Sequence, residues 1–228
     1  MAQTTAQTIV TARTPRGEIA LRERPDPNGA GVVHELVVAG VFAMDSLDTS
    51  TETALAQEAL ARTESPRRVL VGGLGLGFTT WQALKDKRVT HVDVIEIEED
   101  LVQWARLALT PTLGLVARHP RVTIHAADIR MVLGEDGTPA GPWELMLLDV
   151  DNGPSFLVHP DNEGLYCAGS LRAALARVAK GGTLAIWAAQ REPALLATLT
   201  ELAPTEEILL PVHREGRALE YALYLTRA

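Results

Sequence analysis

The chain has 228 residues, 46% hydrophobic and 22% charged, enough apolar material to bury a core and too much for wholesale disorder. A formal net charge of -8 argues against a general nucleic-acid binder, whose phosphate contacts need clustered Lys and Arg, and leaves room for an acidic site that takes a cationic small molecule. The lone Cys167, the polar start and the lack of a run of roughly 18 apolar residues argue against a disulfide framework, structural zinc, a signal peptide and a membrane span, so a cytoplasmic protein is expected.

Residues 1–14 are rich in Thr, Ala and Gln and read as a flexible tail. Residues 15–63 read as a small antiparallel lobe with a linking helix. Ile19, Leu21 and Glu23 alternate with their neighbours, Asp26-Pro27-Asn28-Gly29 supplies a turn, and Val32 to Val38 and a run to Met44 follow as strands. Thr49-Ser50-Thr51-Glu52 has capping-box spacing ahead of a helix carrying Leu55, Ala59 and Leu60.

Residues 64–228 alternate strand-length apolar runs with helical stretches, the pattern of a parallel sheet covered on both faces. The expected strands are Val69 to Val71, His91 to Ile97, Val122 to His125, Leu145 to Leu148 and Thr183 to Trp187. Helices are expected from Phe78, over Leu101 to Ala108, and after Ser170, the last stopped by Gly181-Gly182. Glu207 to Val212 and Ala218 to Leu225 are joined too closely for a helical crossover and should form a terminal antiparallel hairpin. The sum is an α/β, Rossmann-like fold with a mostly parallel seven-stranded sheet, a C-terminal hairpin and a small N-terminal β-lobe.

The chemistry concentrates at the carboxyl ends of the strands, where open α/β sheets bind ligands. The first strand runs into Gly72-Gly73-Leu74-Gly75-Leu76-Gly77, and Glu96 follows about 20 residues later, where a carboxylate can accept hydrogen bonds from ribose hydroxyls. A dinucleotide fingerprint needs Gly or Ala where this chain has Phe78, so a nicotinamide enzyme is disfavoured. Asp128 follows the third strand, and Asp149, Asp151 and Asn152 follow the fourth. His125, His159 and His213 stand alone and read as structural or solvated. Cys167 reads as a buried thiol, Trp81, Trp104 and Trp143 as packing, and residues 151–164 as a mobile flap.

Together these features resemble the spermidine synthase (polyamine aminopropyltransferase) family of the class I S-adenosylmethionine-dependent methyltransferase superfamily. The matching segments are the glycine loop, Val94-Ile95-Glu96-Ile97-Glu98, Ala127-Asp128, Leu148-Asp149 and Leu165-Tyr166-Cys167. The resemblance implies that Gly73, Gly75 and Gly77 line the sulfonium end of S-adenosylmethionine or its decarboxylated form. Glu96 would then hold the ribose, and Asp128 the adenine amino group. Asp149, with Asp151 beside it, would orient and deprotonate the attacking amine, and Asn152, Tyr166 and Trp187 would face the acceptor. It further implies a homodimer, a small and possibly cationic amine as acceptor, and no metal.

Departures from the family are also legible. Leu74 or Leu76 stands where the family's loop carries Asp and Trp187 where it has Gln, and the family's Tyr-His-Glu segment has no counterpart, the chain reading Ser50-Thr51-Glu52-Thr53 around that place. Small-molecule methyl transfer, cyclisation or lysis of the donor, and a non-catalytic nucleoside-binding homologue therefore stay open beside aminopropyl transfer.

Overall fold

The computed structural model describes residues 6–29, 31–134, 136–214 and 217–228. Four strands, β1 (Gln7–Thr14), β2 (Gly17–Pro25), β3 (Val32–Val38) and β4 (Val41–Asp45), form an antiparallel meander in chain order. The expected flexible tail is corrected for Gln7–Thr14, which pairs with β2 from Gln7↔Glu23 to Thr14↔Gly17, while its residues 1–5 lie outside the described residues. Its Thr, Ile and Val are β-branched and favour extended backbone, and an edge strand can keep polar side chains.

Helix α1 (Ser50–Arg62) follows, with Leu55, Ala56 and Ala59 fully buried. The capping box does not form. Thr49 makes no side-chain cap; Asp48 Oδ1 instead accepts the Ser50 amide at 3.1 Å, and Glu52 turns inward, 8% exposed.

The second sheet contains β5 (Arg68–Gly72), β6 (His91–Glu96), β7 (Val122–Ala126), β8 (Trp143–Leu148), β9 (Val178–Ala188), β10 (Thr205–Arg214) and β11 (Arg217–Arg227). Their order is β10-β11-β9-β8-β5-β6-β7. β5 to β9 run parallel and β11 antiparallel to β9, so the mostly parallel seven-stranded sheet with its terminal hairpin is present. Leu70, Leu145, Met146 and Leu147 are 0% exposed, as central strands covered on both faces require.

Helices α2 (Phe78–Leu84), α3 (Glu99–Arg106), α4 (Pro111–Ala117), α5 (Ile129–Leu133), α6 (Ala168–Ala176) and α7 (Pro193–Leu202) cover the sheet. None of the described helices is long and apolar enough to cross a membrane. Three details differ from the sequence reading. Ser170 lies inside α6 and donates to the Gly164 carbonyl at 2.6 Å, while Cys167 takes the N-cap position and is exposed. A Ser170 bond and helix-end amides lower the Cys167 pKa. Gly181-Gly182 lies within β9: a Cβ on Gly182 would come within 2.5 Å of the Glu144 carbonyl, so neighbouring-strand approach explains that glycine.

Strand order reverses between β5 and β8. From β5 the chain steps outward through β6 and β7, then returns to β8 on the other side, which opens a crevice at the strands' carboxyl ends. The four-stranded sheet roofs that crevice.

Candidate active site

One cavity occupies the crevice. Gly73, Glu96 and Asp149 form its floor at the ends of β5, β6 and β8, while Ile19, Leu36, Val38 and Met44 close it from the N-terminal sheet. The glycine loop makes this approach possible. Gly73 has φ +89°, and a Cβ there would lie 2.1 Å from the Asp149 carbonyl oxygen. Gly75 also lines the cavity, under Met44, whose sulfur lies 3.0 Å from the Leu76 amide. Gly77 starts α2 beneath Thr112 and Val116 and is not among the lining residues.

Leu74 and Leu76 point into the hydrophobic core, 4% and 1% exposed. The loop therefore offers backbone and no carboxylate.

Glu96 is 7% exposed and held from two sides. Oε2 accepts the Leu74 amide at 2.9 Å and Oε1 the Glu98 amide at 2.8 Å. Burial raises its pKa, and those amides oppose the shift. Each oxygen retains a lone pair, so the fixed carboxylate can accept a vicinal diol from the cavity.

Asp149 lines the same floor and accepts the Thr79 hydroxyl at 2.7 Å. Burial raises its pKa against that bond. Across from it stands Glu52, a residue that the sequence reading assigned to capping. Burial, followed by the charge of Asp149, pushes the Glu52 carboxyl up to about 7, although Thr51 donates to it at 2.9 Å. An amine entering here meets two carboxylates, one of them able to change protonation near neutrality.

This pairing has a thermodynamic signature. Glu52 binds its proton more tightly in the folded chain, so its stabilising contribution is complete below about pH 4.5 and is lost as pH rises to about 7. Asp149 and Asp48 face it with the same sign of charge. Urea unfolding from pH 4.5 to 8 should show the chain losing up to about 3 kcal/mol relative to Glu52→Gln. Identical pH profiles for the two proteins would remove the raised pKa.

The other candidates divide. Asn152 and Trp187 line the cavity. Asp151 does too, but its carboxylate is occupied: Oδ1 accepts the amides of Asn152 at 2.8 Å and Val158 at 2.7 Å, and Oδ2 the Asn162 side chain at 2.7 Å. These bonds make it an organiser of the loop. Within that loop Ser155 donates to Glu192 at 2.6 Å.

Asp128 caps α5 through the Arg130 amide at 2.9 Å and pairs with the Arg130 guanidinium at 2.6 Å. It is absent from the cavity lining, and an adenine amino group would have to compete with Arg130. Tyr166, 8% exposed, is likewise buried outside the cavity lining, where burial and nearby acids push its pKa far up.

Two further residues line the cavity, Arg16, which the sequence reading passed over, and His159, which it read as structural or solvated. Arg16, in the β1–β2 turn, donates to Glu98 at 2.9 Å and to the Ile97 carbonyl at 2.9 Å, tying the lobe to the end of β6. His159 lines the cavity with its buried Nε2 unpaired. His125 contacts Asp93 at 3.0 Å in a cluster with Trp143, consistent with a structural role, and the His213 side chain lies outside the described residues. Trp104 and Trp143 are buried and Trp81 packs against the core. Among the described residues no cluster of three His, Cys, Asp or Glu could hold a metal.

No family model matches the chain. Its fold is that of spermidine synthase. A spermidine synthase solved in complex with the transition-state analogue AdoDATO superposes with a TM-score of 0.77 at 17% identity, over 97% of this chain and 73% of that one. The spermidine synthase from Thermotoga maritima gives 0.74 at 16% identity, over 97% and 72%. In sequence, the chain is 27% identical over 100 residues to polyamine aminopropyltransferase 2 of Bacillus cereus, covering 42% of this chain and 26% of that protein. It is 33% identical over 64 residues to putrescine N-methyltransferase 4 of Nicotiana tabacum, covering 28% and 16%. These matches span about a quarter of the first protein's length and less of the second's.

Proposed function

We propose that the chain is a spermidine-synthase-like transferase that alkylates a small amine with decarboxylated S-adenosylmethionine or S-adenosylmethionine. The observation that carries this reading is one roofed cavity holding a fixed ribose-type carboxylate, Glu96, and a separate acid pair, Asp149 and Glu52. The fold shared with spermidine synthases and the stretch matched to an aminopropyltransferase support it.

In this reading Glu96 receives the sugar hydroxyls, and Gly73 and Gly75 let the chain of the donor pass close to backbone. The acid pair attracts an ammonium, and Asp149 takes its proton. The freed nitrogen lone pair attacks the carbon bonded to sulfur, the C–N bond forms as the C–S bond breaks, and a neutral thioether leaves.

Charge favours the decarboxylated donor. Of the described lining residues only Arg16 is a permanent cation, and Glu98 neutralises it. A donor carboxylate placed toward Asp149 and Glu52 would meet like charge in a half-buried site. Methyl transfer is the second reading, favoured by the match to a putrescine N-methyltransferase and by a glycine loop without an acid to grip the donor's amino group.

The reading also carries a cytoplasmic homodimer, for which β1 leaves an unpaired sheet edge. Calorimetric titration should give tighter binding for decarboxylated S-adenosylmethionine than for S-adenosylmethionine, and none for NAD. Mass spectrometry with an amine should show methylthioadenosine, and light scattering two chains per particle. S-adenosylhomocysteine would establish methyl transfer instead; methylthioadenosine without an alkylated amine would indicate donor cyclisation or lysis; binding with no turnover would leave a nucleoside-binding homologue. Tighter binding of NAD would sink the donor assignment.

A further inference from the structure

Glu192 is a buried carboxylate that the reaction above does not use. It is 3% exposed and stands at the N-cap of α7, yet its side chain makes no bond to its own helix. Its oxygens turn to the loop after β8 instead. Oε1 accepts the Ser155 amide at 3.2 Å and the Gln190 side chain at 3.2 Å, and Oε2 accepts the Ser155 hydroxyl at 2.6 Å. The adjacent Arg191 pairs with Glu207 at 2.7 Å, and among the described residues no cation bonds to Glu192. A buried carboxylate without a cation is costly, so the three donors converging on it are what hold it in place.

The loop it holds is one wall of the cavity, to which Asp151, Asn152, Val158, His159 and Asn162 all contribute. Asp151 ties this wall to itself by accepting the Val158 amide and the Asn162 side chain, each at 2.7 Å, so the segment behaves as one piece. Where that piece sits is decided from outside. The Ala189 amide, just past β9, donates to the Asn152 carbonyl at 2.9 Å, and Glu192 grips Ser155 three residues further on. Between the two contacts Gly153 turns at φ +98°, where a Cβ would lie 3.0 Å from the Ala188 Cβ. Glu192 is itself fixed to the sheet, because its amide donates at 2.6 Å to the hydroxyl of Tyr224, which is 0% exposed in β11. Glu192 does not line the cavity.

We propose that Glu192 is a positioning residue for the amine side of the site, clamping the loop after β8 to the sheet so that its wall stands at the right distance from Asp149. Its role in turnover rests on the transferase reading above; its role in holding the wall does not. A glutamine of the same size would leave a single acceptor oxygen for three donors, which releases the clamp without opening a void. Displacing a positioning group by about 1 Å can cost roughly 10²-fold in rate.

The test compares the parent chain with Glu192→Gln and with Ser155→Ala, the latter at an exposed position that does not endanger folding. In Glu192→Gln the Ala189 amide should exchange its hydrogen about tenfold faster, while the Val158 amide inside the loop and the Leu74 and Glu98 amides on Glu96 keep their protection. With decarboxylated S-adenosylmethionine and putrescine, kcat should fall about tenfold or more and KM for the amine rise about fivefold. Calorimetry should show methylthioadenosine bound within about twofold of the parent and putrescine bound about fivefold more weakly. Ser155→Ala should move each quantity in the same direction, and the double variant should be no worse than Glu192→Gln, since both act through one contact. Unchanged kinetics and putrescine affinity in Glu192→Gln, or an equal loss of methylthioadenosine affinity, would overturn the proposal. If the parent binds putrescine and consumes no donor, the transferase reading fails, and the weaker putrescine binding of Glu192→Gln alone supports the clamp. If the parent alkylates putrescine and Glu192→Gln does so at the same rate, the clamp fails while the transferase reading stands. Binding of no amine by the parent would sink both.

Discussion

Asp149→Asn should lower group transfer by roughly 10²- to 10⁴-fold, the usual contribution of a positioned general base, while leaving nucleoside affinity nearly unchanged. The substitution keeps size and an oxygen able to accept the Thr79 hydroxyl, which now meets Asp149 at 2.7 Å, so the fold and the position of the group are preserved. What is removed is the capacity to take a proton and the charge that draws an ammonium. Single-turnover consumption of the donor, read by mass spectrometry beside calorimetry with methylthioadenosine, separates the two effects. A turnover rate equal to that of the parent chain would transfer the base role to Glu52, the other acid facing the same space.

The second large effect belongs to a position with no functional group. Gly73→Ala should abolish measurable nucleoside binding and destabilise the chain by about 3 kcal/mol or more, because strain and a backbone collision add. The residue sits at φ +89°, and the new methyl would lie 2.1 Å from the Asp149 carbonyl oxygen. Relief requires the end of β8 to move away from β5, which carries Asp149 with it; the Asp149 amide now donates to the Gly72 carbonyl at 2.8 Å. Gly29→Ala, where a Cβ meets nothing within 4 Å, is the control and should be near neutral. Melting curves and calorimetry on both variants check this, and a Gly73→Ala chain that binds normally would show that the loop does not need its close approach.

The doubly covered sheet was legible because buried parallel strands are written as continuous apolar runs. Val69 to Val71 and Leu145 to Leu148 permit little else, and the acids at strand ends follow from where open α/β sheets keep their ligands. β1 was not legible in the same way, since Gln7–Thr14 is polar; only its β-branched residues carried the signal. Glu52 was misread because capping-box spacing is a local rule, whereas its burial and its encounter with the charge of Asp149, almost a hundred positions away, arise only in the folded chain.

Asp128 and Asp151 show a different limit of the sequence. Each has the right address and a carboxylate already occupied by near neighbours, Arg130 for one and the amides of its own loop for the other. The Asp128-Ile129-Arg130 sequence contained that warning. The contributions of Arg16 and His159 depend on how the lobe and the loop after β8 fold over the crevice, which no spacing within a single element encodes.

The cavity is assembled from two sheets that share no strand: Glu96 and Asp149 below, Ile19, Leu36, Val38 and Met44 above. Floor and ceiling are thus written in separate stretches of the polypeptide. Replacements in the meander can re-cut the ceiling for a bulkier or slimmer guest while the strand ends below keep their geometry, so that under the transferase reading the acceptor could change with the acids left in place.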